Sequence, residues 1–452
     1  MLRSGGTLMA VVVLAPCLVA GEAGAPFLEV PHPMEPDNRV LKLEPMPVPE
    51  VGKAFQEPGL GSTLRRVTRI DGTNGRHEYS RFDPCNRGQT LIMLTREGDW
   101  SIHRTDRLPY NQEATLVRTL TNHEEPRWDP QDPHLLWCLQ DHSIITVNVE
   151  DGTTRVIKDF RKDPRVGPLI KAQPDLYRIT TRQEGEASHD MRYWALGLQG
   201  EREDYRLRYV LTWDREKDQV LGLLELKPSQ AEIDWLGMSP LGSWVLIGAD
   251  GGNGAPLDGL VLANRELTTF HQLAHATAHS DVGLDTQGRE VIVMQNSRTD
   301  TIDLIPLATT VRPVPEDFED HPHRGTGYVP LIMLTYSSDS PAPFEGGVHI
   351  SCNHPGYAVV STYNEPGEQA RNWLSRTISL VQLDRDHPRV FTLARVRGVR
   401  GAYWEETQAT ITADGDRILW STNWSQQVGG EQVFLMEMEM PDRWQERLAG
   451  AR

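Results

Sequence analysis

Short apolar runs recur along the chain, each preceded by polar residues and a turn. They end at Leu94 (LIML), Leu139 (LLWCL), Leu196 (YWAL), Gly248 (VLIG), Met294 (VIVM), Val360 (YAVV) and Trp420 (ILW). The turn before each is rich in Asp, Asn, Pro, Ser or Gly, as in Asn353-His354-Pro355-Gly356 and Ala413-Asp414-Gly415. Pro presets φ and Gly supplies positive φ, so each unit predicts strand, tight turn, strand.

Phe82, Trp128, Ala187, Met238, Leu284, Cys352 and Ile411 anchor the seven copies, spaced by 46, 59, 51, 46, 68 and 59 residues. A period of about 40–50 residues with hairpin signals marks a β-propeller, one four-stranded sheet per blade. The longer intervals predict insertions at 140–185 and 305–346. Seven copies are too many for a two-sheet sandwich. The expectation is an all-β chain, a seven-bladed β-propeller over residues 65–440.

The ends add three segments. Leu8 to Val19 is apolar, too short to span a bilayer, and follows a basic start. Small residues come next, so 1–25 reads as a signal peptide cleaved between Ala20 and Ala25, with a secreted or periplasmic product and no transmembrane segment after cleavage. Cys17 follows Pro16, a poor lipid-attachment context. Residues 26–64 read as an extended arm that pairs with the last blade to close it, and 441–452 as a C-terminal tail. The 31 prolines and 38 glycines are spread among the copies, as many short strands require.

Composition narrows the function. A net charge of −17 excludes broad attraction to nucleic acid. After cleavage Cys85, Cys138 and Cys352 remain, an odd number in different copies, which does not make a disulfide scaffold.

Strand side chains alternate faces, so residues one, three and five before an anchor share the face opposite it. These are Arg81, Tyr79 and His77; Arg127, Glu125 and His123; Glu186, Glu184 and Arg182; Gly283, Asp281 and His279; Ser351, His349 and Gly347; Thr410, Gln408 and Glu406. The fourth copy offers Gly237, Trp235 and Ile233 instead. In a propeller such positions meet at the channel. Three readings follow: a polar channel lining, a metal site, or acid–base work on a bound polymer. For a metal, His279 and His349 are the best pair, with Asp281 and Gln408 beside them. Two imidazoles with one or two oxygens suit manganese or zinc better than calcium. His189, Arg192 and Tyr193 lie in the third copy. Tyr193-Trp194 also reads as the packed start of a strand, and His321, His323 and Arg324 as part of a solvated loop.

YSRFDP, EPRWDPQDPHLLW, SHDMRYWAL, HSDVGLDTQGREVIV and HISCNHPGYAVVSTY together resemble secreted bacterial propellers of the polysaccharide-lyase type, the oligogalacturonate lyases and the seven-bladed ulvan lyases. The resemblance covers about residues 75–425. It implies β-elimination on a uronic-acid polysaccharide or oligosaccharide: a metal or Arg neutralises the carboxylate, and a His or Tyr removes the proton beside it. His279 and His349 are similar to the metal-binding histidines of oligogalacturonate lyases, and Gln408 resembles a third, amide ligand. His123 and Arg127 are taken as base and neutraliser from their channel position, with His189 and Tyr193 as further catalytic candidates. His77, Arg81 and Arg192 are taken as substrate contacts. Glu124 and Glu125 beside His123 depart from a site built for an anionic sugar. The alternative is a non-catalytic propeller that binds a glycan or a partner protein at its funnel.

Overall fold

The computed structural model describes residues 26–35, 43–70, 75–96, 99–200, 206–230, 232–314, 325–336, 344–368 and 372–450. The expected signal peptide (1–25), His321, His323 and Arg324 lie outside these residues. Seven antiparallel sheets form the ring of a seven-bladed β-propeller. In blade 1 the strands are Leu91–Arg96, Asp99–Arg104 and Leu116–Leu120. Its inner segment joins them through the single bridges Arg76 to Thr95 and Cys85 to Ile92. Blade 2 begins with Glu124–Trp128, blade 3 with Arg178–Thr180, blade 4 with Ile233–Met238 and blade 5 with Ser280–Leu284. Blade 6 begins with Gly347–Ser351 and blade 7 with Thr410–Ile411.

From blade 2 onward each anchor ends or follows an inner strand, and in every blade the apolar run after the turn forms the next strand. In blade 6, His349 pairs with Ser361 and Ile350 with Val360 across that hairpin. The strand Tyr357–Tyr363 is buried throughout, as a strand covered on both faces must be. Apolar clusters fill the spaces between neighbouring sheets. One joins Leu139, Ile144 and Trp137 of blade 2 to Leu196, Leu211 and Trp213 of blade 3. Another joins Val291, Val293 and Leu304 of blade 5 to Val348, Val360 and Val381 of blade 6. Each such large side chain contributes roughly 1.5–3 kcal/mol on burial, so the blades are held mainly by their faces.

The N-terminal arm closes the ring. Thr63–Arg66 pairs with Phe434–Glu439 as the fourth strand of blade 7, and Phe55–Gln56 adds a fifth. Leu28–Glu29 lines the outer edge of blade 6. Glu57, fully buried, receives two hydrogen bonds from Arg397, 2.6 and 2.8 Å, and one from Arg395 at 2.9 Å. The expected insertion at 140–185 is only partly extra. Residues 143–148 and 154–159 are the outer strands of blade 2, and the added piece is a 3-10 turn with a short helix, Gly167–Ala172. A second helix, Trp444–Gly450, belongs to a separate C-terminal unit. Among the described residues no helix is long and apolar enough to cross a membrane.

Candidate functional site at the channel axis

Each inner segment begins its sheet and leads through a turn into the next strand, so residues before the anchors lie toward one end of the ring and the turns toward the other. Where blades 1, 5 and 6 enter, three rings gather. The Tyr79 hydroxyl lies 3.4 Å from Nδ1 of His279. His279 and His349 stand ring to ring, 4.8 Å between centroids, and the Tyr79 ring is edge-on to His349 at 5.4 Å. Nε2 of His349 is 2.8 Å from Oε2 of Glu406, on the segment leading into blade 7. Arg400 approaches the same carboxylate at 3.3 Å, and Tyr363 hydrogen-bonds to it. Burial lowers the His279 imidazole to about 3, with His349 and Arg81 acting in the same direction, so the ring is neutral at physiological pH. Burial also lifts the Tyr79 phenol well above its usual range.

Further in, two arginines cross the channel. Arg81 donates to the Glu184 carbonyl at 3.0 Å and to Ser280 Oγ at 3.1 Å, and its guanidinium lies over Trp235 at 4.4 Å. Arg127 donates to Glu78 at 3.1 Å and to the Gln183 carbonyl at 2.9 Å, and lies over Phe82 at 3.3 Å. These bonds join blade 1 to blades 3 and 5, and blade 2 to blades 1 and 3. Gly237 and Gly283 sit where neighbouring inner strands nearly touch. A Cβ on Gly237 would come within 2.9 Å of the Glu186 nitrogen, and one on Gly283 within 2.7 Å of Cys352 Cβ. Two ring positions therefore carry no side chain because there is no room for one.

The sequence-derived candidates divide accordingly. His279 and His349 come together as expected, and Arg81, Arg127 and Gln408 lie at or near the axis. His77 is fully buried against the backbone of Tyr79 and Gln408, and burial with the neighbouring Arg76 lowers it to about 3. Gln408 is buried, and its Nε2 makes no hydrogen bond among the described residues. Asp281 turns away from the histidines: Oδ2 accepts the Cys352 N–H at 2.5 Å and Oδ1 the Val282 N–H at 2.8 Å. His123 joins neither group. It precedes a bulge between Glu124 and Arg127, where Glu125 adopts φ 51° and turns to accept from Thr180 and Thr181. Glu124 pairs with Arg178 at 2.6 Å.

In blade 3, Arg182, Glu184 and Glu186 lie on a loop after Arg178–Thr180, with Arg182 and Gln183 at positive φ, so period-two alternation does not govern them. His189 lies on the turn and is exposed. Tyr193 opens the second strand between the guanidiniums of Arg192 and Arg265, at 4.8 and 4.3 Å. Arg192 grips Asp214 with two bonds, 3.2 and 3.1 Å, and pairs with Glu216. Tyr193 and Arg192 serve the packing of a blade, and none of the three joins the ring cluster. Glu406 and Tyr79 are the members the sequence reading left without a role. Their offsets placed them on the channel face, but only the fold makes them neighbours of His349. Cys85, Cys138 and Cys352 are free and buried.

The architecture is that of a seven-bladed β-propeller with a histidine cluster at its axis. An oligogalacturonate lyase in complex with manganese superposes with a TM-score of 0.54 and 12% identity, over 87% of this chain and 97% of that one. An oligogalacturonate lyase from Vibrio parahaemolyticus gives 0.53 and 10%, with the same coverage of 87% and 97%. At these identities the likeness is one of fold. No family model matches the chain, and no curated protein matches its sequence.

Proposed function

We propose that this protein is a lyase-like propeller that acts on a uronate-containing saccharide at the entry end of its channel, exported to the cell exterior or periplasm. The observation that carries the reading is the cluster of a half-buried Tyr79 and neutral His279 against a buried, carboxylate-backed His349. β-Elimination requires a base for the proton beside the carboxylate, a donor for the departing glycosidic oxygen, and positive charge near the developing enolate. His279 is neutral and so can accept a proton, though burial makes it a weak base, and the Tyr79 hydroxyl 3.4 Å from its Nδ1 is in reach to donate one. Arg400, 31% exposed and shared between Glu406 and Glu365, is the most exposed cation beside the cluster and the candidate for the substrate carboxylate. Arg81, Arg127 and Arg400 all have protein oxygens on their guanidiniums, so a substrate carboxylate has to displace one of these partners, and Arg400 is distinguished only by its exposure.

The manganese of one structural neighbour belongs to that protein. Among the described residues His349 presents a buried Nδ1 without a hydrogen bond while Glu406 holds its other nitrogen, the arrangement of a carboxylate-backed imidazole ligand. His279 is beside it. Among the described residues no three His, Cys, Asp or Glu side chains come together to hold an ion. The oxygens of Asp281 are occupied by backbone N–H groups. Two imidazoles fall short of the three or four protein ligands of a resident manganese or zinc site, so no step is assigned to a metal.

A second reading, a non-catalytic glycan-binding propeller, is favoured by the carboxylates of Glu78, Glu184 and Glu186 around the two channel arginines, which disfavour a polyanion. Incubation with a panel of polyuronates separates the two. Unsaturated uronate products absorb in the ultraviolet, and a rise is the expected result. Binding of a polyuronate with no rise supports the second reading instead.

A further inference from the structure

An opening of about 240 Å³ lies at the entry end of the ring, between blades 4 and 5. That is below the roughly 300–1,000 Å³ of sites that enclose a whole drug-sized ligand, and suits one unit of a longer one. Its wall meets the histidine cluster at three points. Thr277 and Ala278 line it and lead directly into His279, and two residues of chain span at most about 7 Å. Gln295 lines it too, and its N–H donates to the His279 carbonyl at 2.8 Å. The indole of Trp235, which carries the Arg81 guanidinium on its face, donates to Thr277 Oγ1 at 2.9 Å.

The charge of this wall is the reverse of the channel's. Arg81 and Arg127 stand among carboxylates and are held by protein oxygens. Arg298 lies on the turn after Glu290–Asn296, lines the opening and is exposed. Its backbone N–H donates to Asn296 Oδ1 at 3.2 Å, and among the described residues its guanidinium makes no hydrogen bond or ion pair. Among the described residues no Asp or Glu lines the opening, in a chain of net charge −17. Three further donors do. The Ser297 hydroxyl is exposed, Thr277 Oγ1 accepts the indole N–H and keeps its own proton to give, and the half-buried His275 ring carries an N–H in either charge state. Donors around a free guanidinium, with no carboxylate, favour an anion and disfavour a cation. A guanidinium meets a carboxylate through two parallel N–H bonds. An anion that reaches Arg81 or Arg127 must displace a protein partner, whereas one that reaches Arg298 displaces none.

We infer that this opening is a carboxylate subsite, in which Arg298 holds an acidic sugar unit next to the one at the Tyr79–His279–His349 cluster. The subsite presupposes the reading of the channel mouth as a saccharide site, and adds a preference for ligands with two neighbouring acidic units. Arg298 is a binding and specificity residue, and the chemistry stays with the cluster.

Calorimetric titration of the full chain with trigalacturonate and trimannuronate, each beside its fully methyl-esterified form, tests this. The titrations are run in His279→Ala to prevent turnover, and initial rates on the acid forms are read in the parent background. At least one acid trimer is expected to bind more tightly than its ester. Adding Arg298→Gln is expected to weaken that trimer at least about tenfold, the loss of roughly 1.4 kcal/mol, and to leave the ester unchanged. Arg298→Lys, which keeps the charge without the fork, is expected to fall between. In the rates, Arg298→Gln is expected to raise KM with kcat unchanged, the mark of lost uniform binding. Melting curves confirm that the exposed substitution leaves the fold intact. Binding that depends on Arg298 without any absorbance rise supports the subsite and removes the lyase reading. A rise whose KM is unchanged in Arg298→Gln overturns the subsite and leaves the lyase reading. The subsite is also overturned if neither acid trimer binds, if the ester loses as much affinity as the acid, or if inorganic sulfate or phosphate binds at Arg298 as tightly as the trimer.

Discussion

Glu406 holds Nε2 of His349 at 2.8 Å, while the other ring nitrogen is buried and makes no hydrogen bond among the described residues. The carboxylate therefore fixes the orientation of His349, and through it the ring that His279 and Tyr79 pack against. Glu406→Ala leaves a buried imidazole nitrogen unpaired and removes one partner of Arg400. The expected loss is about 1–3 kcal/mol of stability, read from urea denaturation. Glu406→Gln, which can still accept a hydrogen bond, is expected to recover most of it. A variant as stable as the parent would show that His349 is held by packing alone.

Buried carboxyls set the pH response. Burial lifts Asp281 from 3.8 to about 8, against the opposing pull of Arg81 and the Cys352 N–H, and lifts Asp83 from 3.8 to about 7. From about pH 4 upward the folded chain keeps protons there that the unfolded chain has released. Their contribution to stability is complete below pH 4 and is lost as pH rises through 7 and 8. His77 and His279 act oppositely. Lowered from 6.5 to about 3, they contribute stability above pH 6.5 that is lost as pH falls to 3. Between pH 6.5 and 8 only the aspartates of this group titrate. The urea midpoint is expected to fall across that window, and Asp281→Asn to flatten the fall. An equal decline in the variant would show that Asp281 is not the group responsible.

The arm that closes the ring depends on one buried cluster. Glu57 is fully buried beneath Arg395 and Arg397. Its removal leaves the 4%-exposed Arg397 guanidinium without its carboxylate. Glu57→Ala is expected to destabilise by about 3–5 kcal/mol, the usual result of breaking a buried pair from one side. Chemical denaturation measures it, and a loss below about 1 kcal/mol would mean that closure rests on the strand pairing of Thr63–Arg66 alone.

The fold was legible because each blade repeats its turn before a fully buried second strand. His279 and His349 were also legible as neighbours, because His279 immediately precedes one straight inner strand and His349 lies within another, but alternation is no guide where the backbone departs from it. The bulge at Glu125 separates His123 from Arg127, and the loop after Thr180 carries Glu184 and Glu186 out of any strand. Asp281 keeps its place in the pattern but is drawn toward the Cys352 N–H of the next blade, a contact no spacing reveals. Arg192 looked available only because its partner Asp214 lies on the next strand of the sheet.

Metal content follows from the donor count. Purified protein is expected to hold manganese or zinc well below one ion per chain. A stoichiometric ion lost in both His279→Ala and His349→Ala would overturn the assignment of two imidazoles without further ligands.

The most direct test of the central claim is the initial rate of ultraviolet absorbance rise on polyuronates, measured for the parent protein beside His279→Ala and Tyr79→Phe. The account expects a rise with at least one polyuronate and a loss of about a hundredfold or more in His279→Ala, the scale of a missing general base. A full rate in His279→Ala, or no rise with any polyuronate, would contradict it.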